Sequence, residues 1–523
     1  MAIDFEAVRT LSDITRYHAK VRPDAVSLTF KGETTTFAEL DDQATRVANG
    51  LIAMGVQPGD RVAVYAANSS RYLALFFGCV KARATLVGVN ARLAPPEVAF
   101  VIDDSRAKAL FVGGHFPQAA KAALGHAKVQ PAVIGLDGPV DDGPAFDAWI
   151  AGQSAVDPML PVSPDDDVIQ LYTSGTTGLP KGVQITDAGY QKFFAYGLAA
   201  DWAAYEVGDA VLVAMPLFHV AGINTAILTV AQGAKGVVLE AVDPVEILRL
   251  IPVERIRHAF FAPTIINMLM QVPGSESVDY SSLARIFYGA SPIAEDLLRR
   301  AQARFGCSFT QLYGMTESLG AGTYLPPEDH VEGRDKLRSC GKAWPGFRIE
   351  TRRADGSVCD PMEVGEIVMT ADCLMKGYWN RADATADTIR DGWLHTGDAG
   401  YMDSEGYLYI HDRVKDMIVS GGENVYPAEV ENAVFGHPDV ADVAVIGVPD
   451  EKWGEAVKAI VVPKPGATID PASVIAWARE RIAGYKAPKS VDVVEALPRN
   501  PSGKVLRREL REPYWAGHTR RVG

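Results

Sequence analysis

Tyr172-Thr173-Ser174-Gly175-Thr176-Thr177-Gly178-Leu179-Pro180-Lys181-Gly182 is the stretch on which the reading of this 523-residue chain turns. The ten residues from Thr173 to Gly182 hold four hydroxyls, three glycines and a lysine. Glycine lets a backbone turn sharply and bring its N–H groups close to an anion, while hydroxyls and an ammonium add donors. The composition is that of a phosphate cradle. A strand-like run, Asp167 to Leu171, leads into it. The spacing departs from the nucleotide P-loop, G-x-x-x-x-G-K-[ST], because Lys181 follows Pro180 and precedes Gly182. No G-x-G-x-x-G fingerprint opens a helix, and a plain Ser/Thr/Gly linker would not account for the Pro-Lys-Gly ending.

Outward from this loop the chain alternates between helical and strand-like text. Thr36 and Glu39 form a capping-box signature, after which Leu40, Ala44, Val47, Ala48 and Leu51 recur at helical spacing. Gly55 sits where a left-handed stop is needed, and a turn at Pro58-Gly59-Asp60 enters the strand-like Arg61 to Ala66. Val211–Met215, His258–Ala262 and Arg285–Tyr288 read as buried strands, and the segments after Pro244, Pro263 and Pro292 read as helices. This rhythm predicts parallel sheets covered on both faces. Between Asp398 and Arg413 the text turns polar and turn-rich, and a small α/β unit begins near Lys415. Its expected strands are Val443–Ile446, Val457–Val462 and Val491–Val494, with a helix over Ala472–Ile482. The expected domains are 1–412 and 413–523, and the larger must hold more than one sheet, since single cores rarely exceed about 250–300 residues.

Composition narrows the partners. The chain is 48% hydrophobic and 22% charged, enough apolar surface to exclude disorder as the main state. Its 51 basic and 65 acidic residues give a formal charge of −14, which disfavours nucleic acid and anionic lipid as partners. Five cysteines without a C-x-x-C pair argue against a disulfide framework. Asp4 and Glu6 stand where a signal peptide would be basic and then apolar, and the most apolar run, Leu73–Val80, is far too short to span a bilayer. A cytoplasmic location with no transmembrane segment is expected, and a homodimer is left open.

The 172–182 loop resembles the signature of the adenylate-forming superfamily, which includes acyl- and aryl-CoA synthetases, peptide-synthetase adenylation domains and luciferases. The likeness runs from Thr36 to about Leu510 and is strongest toward bacterial fatty acyl-CoA synthetases. It implies an α/β fold: a large N-terminal domain of two αβ-sheet subdomains plus a distorted β-barrel, and a small mobile α+β C-terminal domain. It also implies the chemistry. ATP and Mg²⁺ activate a small-molecule carboxylic acid to acyl-AMP and pyrophosphate, and the thiol of coenzyme A then displaces AMP.

The resemblance assigns roles along the chain. Thr173, Ser174, Gly175, Thr176, Thr177, Gly178 and Lys181 cradle phosphate. In Tyr313-Gly314-Met315-Thr316-Glu317 the tyrosine packs on adenine, the threonine meets phosphate and the glutamate reaches Mg²⁺, a cation suited to one carboxylate plus phosphate oxygens. Gly289-Ala290-Ser291 resembles the adenine-edge segment. Asp398 would accept hydrogen bonds from both ribose hydroxyls, Arg413 would reach ribose or phosphate, and Lys415 occupies the pivot that other members fill with aspartate. Gly421 and Gly422 match the stretch lining the pantetheine tunnel, though a plain turn fits them too. Lys504, in Pro498-Arg499-Asn500-Pro501-Ser502-Gly503-Lys504, matches the catalytic lysine.

The acyl pocket is expected from Phe218, His219, Ala221, Gly222, Ile223, Phe261, Gly289, Ala290 and Met315, with the small residues leaving room. His219 either gates the carboxylate or the CoA route or is a hydrogen-bonded core histidine. No aspartate stands in the 216–224 segment to meet a substrate ammonium, and no Arg or Lys to meet a second carboxylate. A medium- or long-chain fatty acid is the expected substrate. An aryl acid, a carrier-protein thiol in place of CoA, and luciferase-like chemistry are the alternatives.

Overall fold

The computed structural model of the chain describes residues 4, 6–141, 143–173, 180–200, 204–331, 333–413, 416–420, 423–450, 453–499 and 503–516, with the backbone alone at 411–413, 419, 423 and 424. The expected capping box is present. Thr36 Oγ1 accepts from the Glu39 backbone N–H at 3.2 Å and Glu39 Oε2 accepts from the Thr36 backbone N–H at 2.7 Å, opening the helix Phe37–Ala53. The next helix, Ser70–Lys81, lies so close that a Cβ on Gly78 would come within 2.3 Å of Val47. Leu73–Val80 is thus an element of a packed helix pair.

A seven-stranded sheet runs in the order 377–378, 181–186, 167–173, 85–88, 61–65, 109–112, 132–135. A nine-stranded sheet runs 342–343, 322–325, 308–314, 285–289, 256–261, 210–213, 235–238, 26–30, 33–36. Both are parallel through their middles; the nine-stranded sheet has antiparallel strands at both edges, and the seven-stranded sheet is antiparallel at the 377–378 edge and parallel at the 132–135 edge. An antiparallel five-stranded sheet built from 348–352, 365–370, 389–390, 393–402 and 408–413 supplies the barrel-like part. The small C-terminal domain is a mixed sheet of 418–420, 423–425, 440–450, 454–463 and 490–493 with helices Pro427–Phe435, Pro471–Arg479 and Arg507–Trp515. Its core (Ile418, Val430, Val445, Val461, Val474) is separate from those of the large domain. The architecture is the α/β one expected.

One segment differs from its expectation. Asp398–Arg413, which reads as a polar, turn-rich stretch, is mostly the hairpin of Trp393–Met402 and Leu408–Arg413. The charged residues mislead because the hairpin buries chiefly Leu394, Ala399, Tyr407 and Leu408, and leaves much of its remainder partly open. Among the described residues, no helix is long and apolar enough to cross a membrane, and all five cysteines are free.

Candidate active site

The strands that open the site end side by side. Thr173 closes strand Asp167–Thr173 and is the register partner of Lys181, the first residue of Lys181–Thr186. The cradle candidates Ser174, Gly175, Thr176, Thr177 and Gly178, the hinge candidate Lys415, and Gly421 and Gly422 lie outside the described residues. Of Arg413 the backbone places it opposite Asp398 in the hairpin register.

In the parallel register of the nine-stranded sheet, Gly289 lies opposite Leu312, one residue before Tyr313, so the two nucleotide motifs emerge together. A Cβ on Gly289 would come within 2.2 Å of the Leu312 carbonyl oxygen, and one on Gly314 within 2.4 Å of the Gly320 backbone. Only hydrogen fits at either place. Ala290 follows with φ +68°, a strained conformation of the kind that collects at functional sites. Beneath this corner Tyr288 is fully buried, its hydroxyl 3.0 Å from His330 Nε2. Burial lowers the His330 pKa to about 4 and holds the imidazole neutral.

Tyr313 Oη donates to Asp398 Oδ2 at 2.8 Å, so the adenine and ribose candidates meet across two different sheets. Asp398 is oriented further by its own backbone N–H, which donates to Thr396 Oγ1 at 3.0 Å. Thr316 and Glu317 lie in the short turn Thr316–Ser318, which Ser318 fixes by hydrogen bonds to the N–H and C=O of Met315. Glu317 is buried, and Tyr378 Oη donates to its Oε1 at 2.7 Å. The Lys181 ammonium lies 4.8 Å from the centre of the same Tyr378 ring. Tyr378 therefore joins the end of the cradle to the candidate metal carboxylate. Its contacts are with residues distant in sequence, and no local spacing points to it. One carboxylate suits Mg²⁺ when phosphate oxygens complete the shell, so Glu317 fits the ion as a ligand held together with ATP.

Lys504, on the small domain, lines a groove between the domains together with Thr264, Ser291, Ile293 and Asn432, and Ser291 is the nucleotide candidate that shares this groove. The two domains meet there. The Glu295 backbone N–H donates to Asn432 Oδ1 at 3.3 Å, Asn267 Nδ2 donates to the Ala441 carbonyl at 3.3 Å, and Phe435 packs on the core below the nine-stranded sheet.

On the acyl side the structure separates the expected lining residues. His219, Ala221 and Met315 are partly open and Ala290 is exposed, while Phe218 is mostly buried. Ile223 and Phe261 are fully buried in packed cores. Gly222 presses on the entry turn of its own helix, where a Cβ would lie 2.1 Å from the Pro216 carbonyl oxygen. Gly222 and Gly289 therefore serve backbone packing and do not widen a pocket. Burial, and then the charge of Arg92, lowers the His219 pKa to about 4, and its Nε2 has no partner among the described residues. The following helix, Val220–Ala231, carries no charged side chain. Its buried Asn224 is spent on Tyr190 Oη at 2.9 Å and the Leu319 carbonyl at 2.7 Å.

Thr173 and Lys181 paired at adjoining strand ends, the Tyr313–Asp398 pair and a lysine on a second domain are the arrangement expected of a nucleotide-dependent activating enzyme. The chain belongs to the AMP-binding enzyme family: it matches the family over residues 15–379 and the AMP-binding enzyme C-terminal domain over residues 429–504. By class it is an AMP-forming acid–thiol ligase. It is 39% identical to a fatty acid–[acyl-carrier-protein] ligase, ScoC, of Streptomyces coeruleorubidus over 98% of both chains. It is 40% identical to a feruloyl-CoA synthase of an Amycolatopsis species over 95% of this chain and 97% of that one. A solved Mycobacterium tuberculosis fatty acyl-CoA synthetase superposes with a TM-score of 0.74 at 36% identity, covering 98% of this chain and 99% of that one.

Proposed function

We propose that this enzyme joins a medium- or long-chain fatty acid to coenzyme A through an acyl-adenylate, in the cytoplasm, with the large domain ending near residue 412 and the small one turning about Lys415. The observation that carries the acyl part is the wall beyond His219. The helix there has no charged group, its buried amide is already paired, and His219 is held neutral, so an apolar tail is matched and an ammonium or second carboxylate is not.

In the first step a carboxylate oxygen attacks the α-phosphorus of ATP and the bond to pyrophosphate breaks. Two anions must be brought together, so positive charge held in line lowers the barrier. Lys504 supplies an ammonium between the carboxylate and the α-phosphate, and Thr173, Thr316, Lys181 and the 174–178 loop hold phosphate oxygens. Tyr313 and the 289–291 corner hold adenine, and Asp398 accepts the ribose hydroxyls, with Arg413 beside it. Glu317 would hold Mg²⁺, which when bound would neutralise charge on the phosphates. In the second step the sulfur of CoA, its proton lost to solvent, attacks the acyl carbonyl and expels AMP. Gly421 and Gly422 leave width for pantetheine.

The test is carboxylate-dependent ATP–pyrophosphate exchange over C2–C18 and aryl acids, followed by thioester release with CoA. Exchange and release greatest with C8–C18 acids are expected. Exchange greatest with cinnamate-type acids moves the substrate to the aryl class, a reading favoured by the feruloyl-CoA synthase relative. Release to an acyl carrier protein and not to CoA moves the acceptor, as the ScoC relative would favour.

A further inference from the structure

We propose that Arg499 is the positioning residue for Lys504, and that Thr264 of the large domain completes its grip only while the small domain lies against the cleft. The inference rests on Lys504 acting in adenylation. Arg499 Nη2 donates to Asp442 Oδ2 at 2.6 Å, which anchors the guanidinium within its own domain. Its Nη1 donates in two directions, to the Gly503 carbonyl and, at 3.0 Å, to Thr264 Oγ1 across the domain boundary. The Thr264 hydroxyl in turn donates to the same Gly503 carbonyl at 3.3 Å.

These contacts converge on one peptide unit, the one joining Gly503 to Lys504. Gly503 has φ +85°, a conformation that strains other residues, so the chain direction entering Lys504 is set by a turn that two donors then hold at its carbonyl. The stem of the turn is closed by the Leu506 N–H to Pro498 C=O bond at 2.8 Å and a bridge between Arg499 and Val505. A planar guanidinium can anchor on a carboxylate along one edge and donate in other directions from the same nitrogens, which a lysine ammonium on a flexible stem does less well. Rotation of the small domain away from the cleft must break the Thr264 contacts, while those to Asp442 and Gly503 lie within the small domain and can travel with it. Arg499 and Thr264 thus act on the step that uses Lys504 and leave alone the step that does not.

The experiment measures the two half-reactions separately, with the acid that gives the greatest exchange in the panel above. Adenylation is followed by ATP–pyrophosphate exchange, and thioester formation from that acid's synthetic adenylate plus CoA. R499A is expected to slow adenylation about tenfold to a hundredfold and R499K to restore only part of it, with thioester formation within about twofold of the parent. T264V, which keeps side-chain volume, is expected to slow adenylation several-fold and in the same selective way. Equal loss in both half-reactions would mark Arg499 as merely structural and overturn the inference. So would unchanged adenylation in R499A and T264V. K504A is run beside them: adenylation surviving K504A removes the underlying reading as well, whereas adenylation lost in K504A but intact in the other variants removes this inference alone. If R499A does not fold, the selectivity of T264V decides.

Discussion

Tyr313 and Asp398 meet at 2.8 Å across two sheets whose strands are rooted in buried core, whereas Lys504 stands at the boundary between the domains, beside a turn held by Arg499, Asp442 and Thr264. The first arrangement has no room to adjust. Gly289 and Gly314 each press a bare Cα against neighbouring backbone, and Tyr288 and His330 fill the space below. The second depends on polar contacts that cross the boundary one at a time, with Thr264, Asn267 and Glu295 meeting Arg499, Ala441 and Asn432. Such contacts each contribute about 0.5–1.5 kcal/mol net, so a two-step reaction can make and break them without unfolding either side. In the proposed reaction the packed Tyr313–Asp398 side would stay in place, and the Lys504 side would arrive and leave.

The strongest way to break this contrast is K504A. Loss of one well-placed donor costs about 3 kcal/mol in the transition state, so adenylation should fall a hundredfold or more while thioester formation from supplied acyl-AMP persists. Equal loss of both steps would mean that the lysine belongs to the fixed side. G314A tests the fixed side directly. Its new Cβ would sit 2.4 Å from the Gly320 backbone, an overlap that main chain can relieve only by moving. Overpacking of this kind costs about 1–3 kcal/mol, and both half-reactions should fall together. A loss confined to adenylation would contradict a shared nucleotide platform. Y313F removes the hydroxyl that donates to Asp398 while keeping the ring. The KM for ATP should rise about fivefold, the value of a hydrogen bond of about 1 kcal/mol, with kcat little changed.

How much of this was readable from the chain follows the same division. The residues that carry charge or bare Cα atoms stand in short local motifs, so Tyr313, Asp398 and Lys504 could each be nominated without knowing the fold. Their supports could not. Tyr378 meets Glu317 and Thr264 meets Arg499 across long gaps in sequence, and nothing in local spacing encodes such pairs. Gly222 misleads for another reason. A missing side chain reads as open space, but at 2.1 Å from the Pro216 carbonyl oxygen that space is occupied by backbone. The hairpin after Trp393 misleads because its polar residues outnumber the few apolar ones, Leu394, Ala399 and Leu408, that strand pairing covers.

The smallest expected effect sharpens the fixed side away from the cleft. Asp187 is buried at the start of helix Asp187–Leu198, where its Oδ2 accepts from the Leu11 backbone N–H at 2.8 Å and so caps the helix Leu11–Val21. Burial, assisted by the nearby charges of Asp13 and Asp166, raises its pKa to about 7. In the unfolded chain the same carboxyl titrates near about 4. The folded state therefore holds a proton that the unfolded state releases. The contribution of Asp187 to stability is complete below about pH 4, declines as pH rises, and reaches its lowest level above about pH 7. D187N keeps an oxygen for the Leu11 N–H and cannot ionise. Its melting temperature should match the parent at pH 4 and exceed it by a few degrees at pH 8, read from thermal unfolding at both pH values. A variant less stable than the parent at pH 8 would show that the ionised carboxylate, through its bond to the helix start, outweighs the cost of its burial.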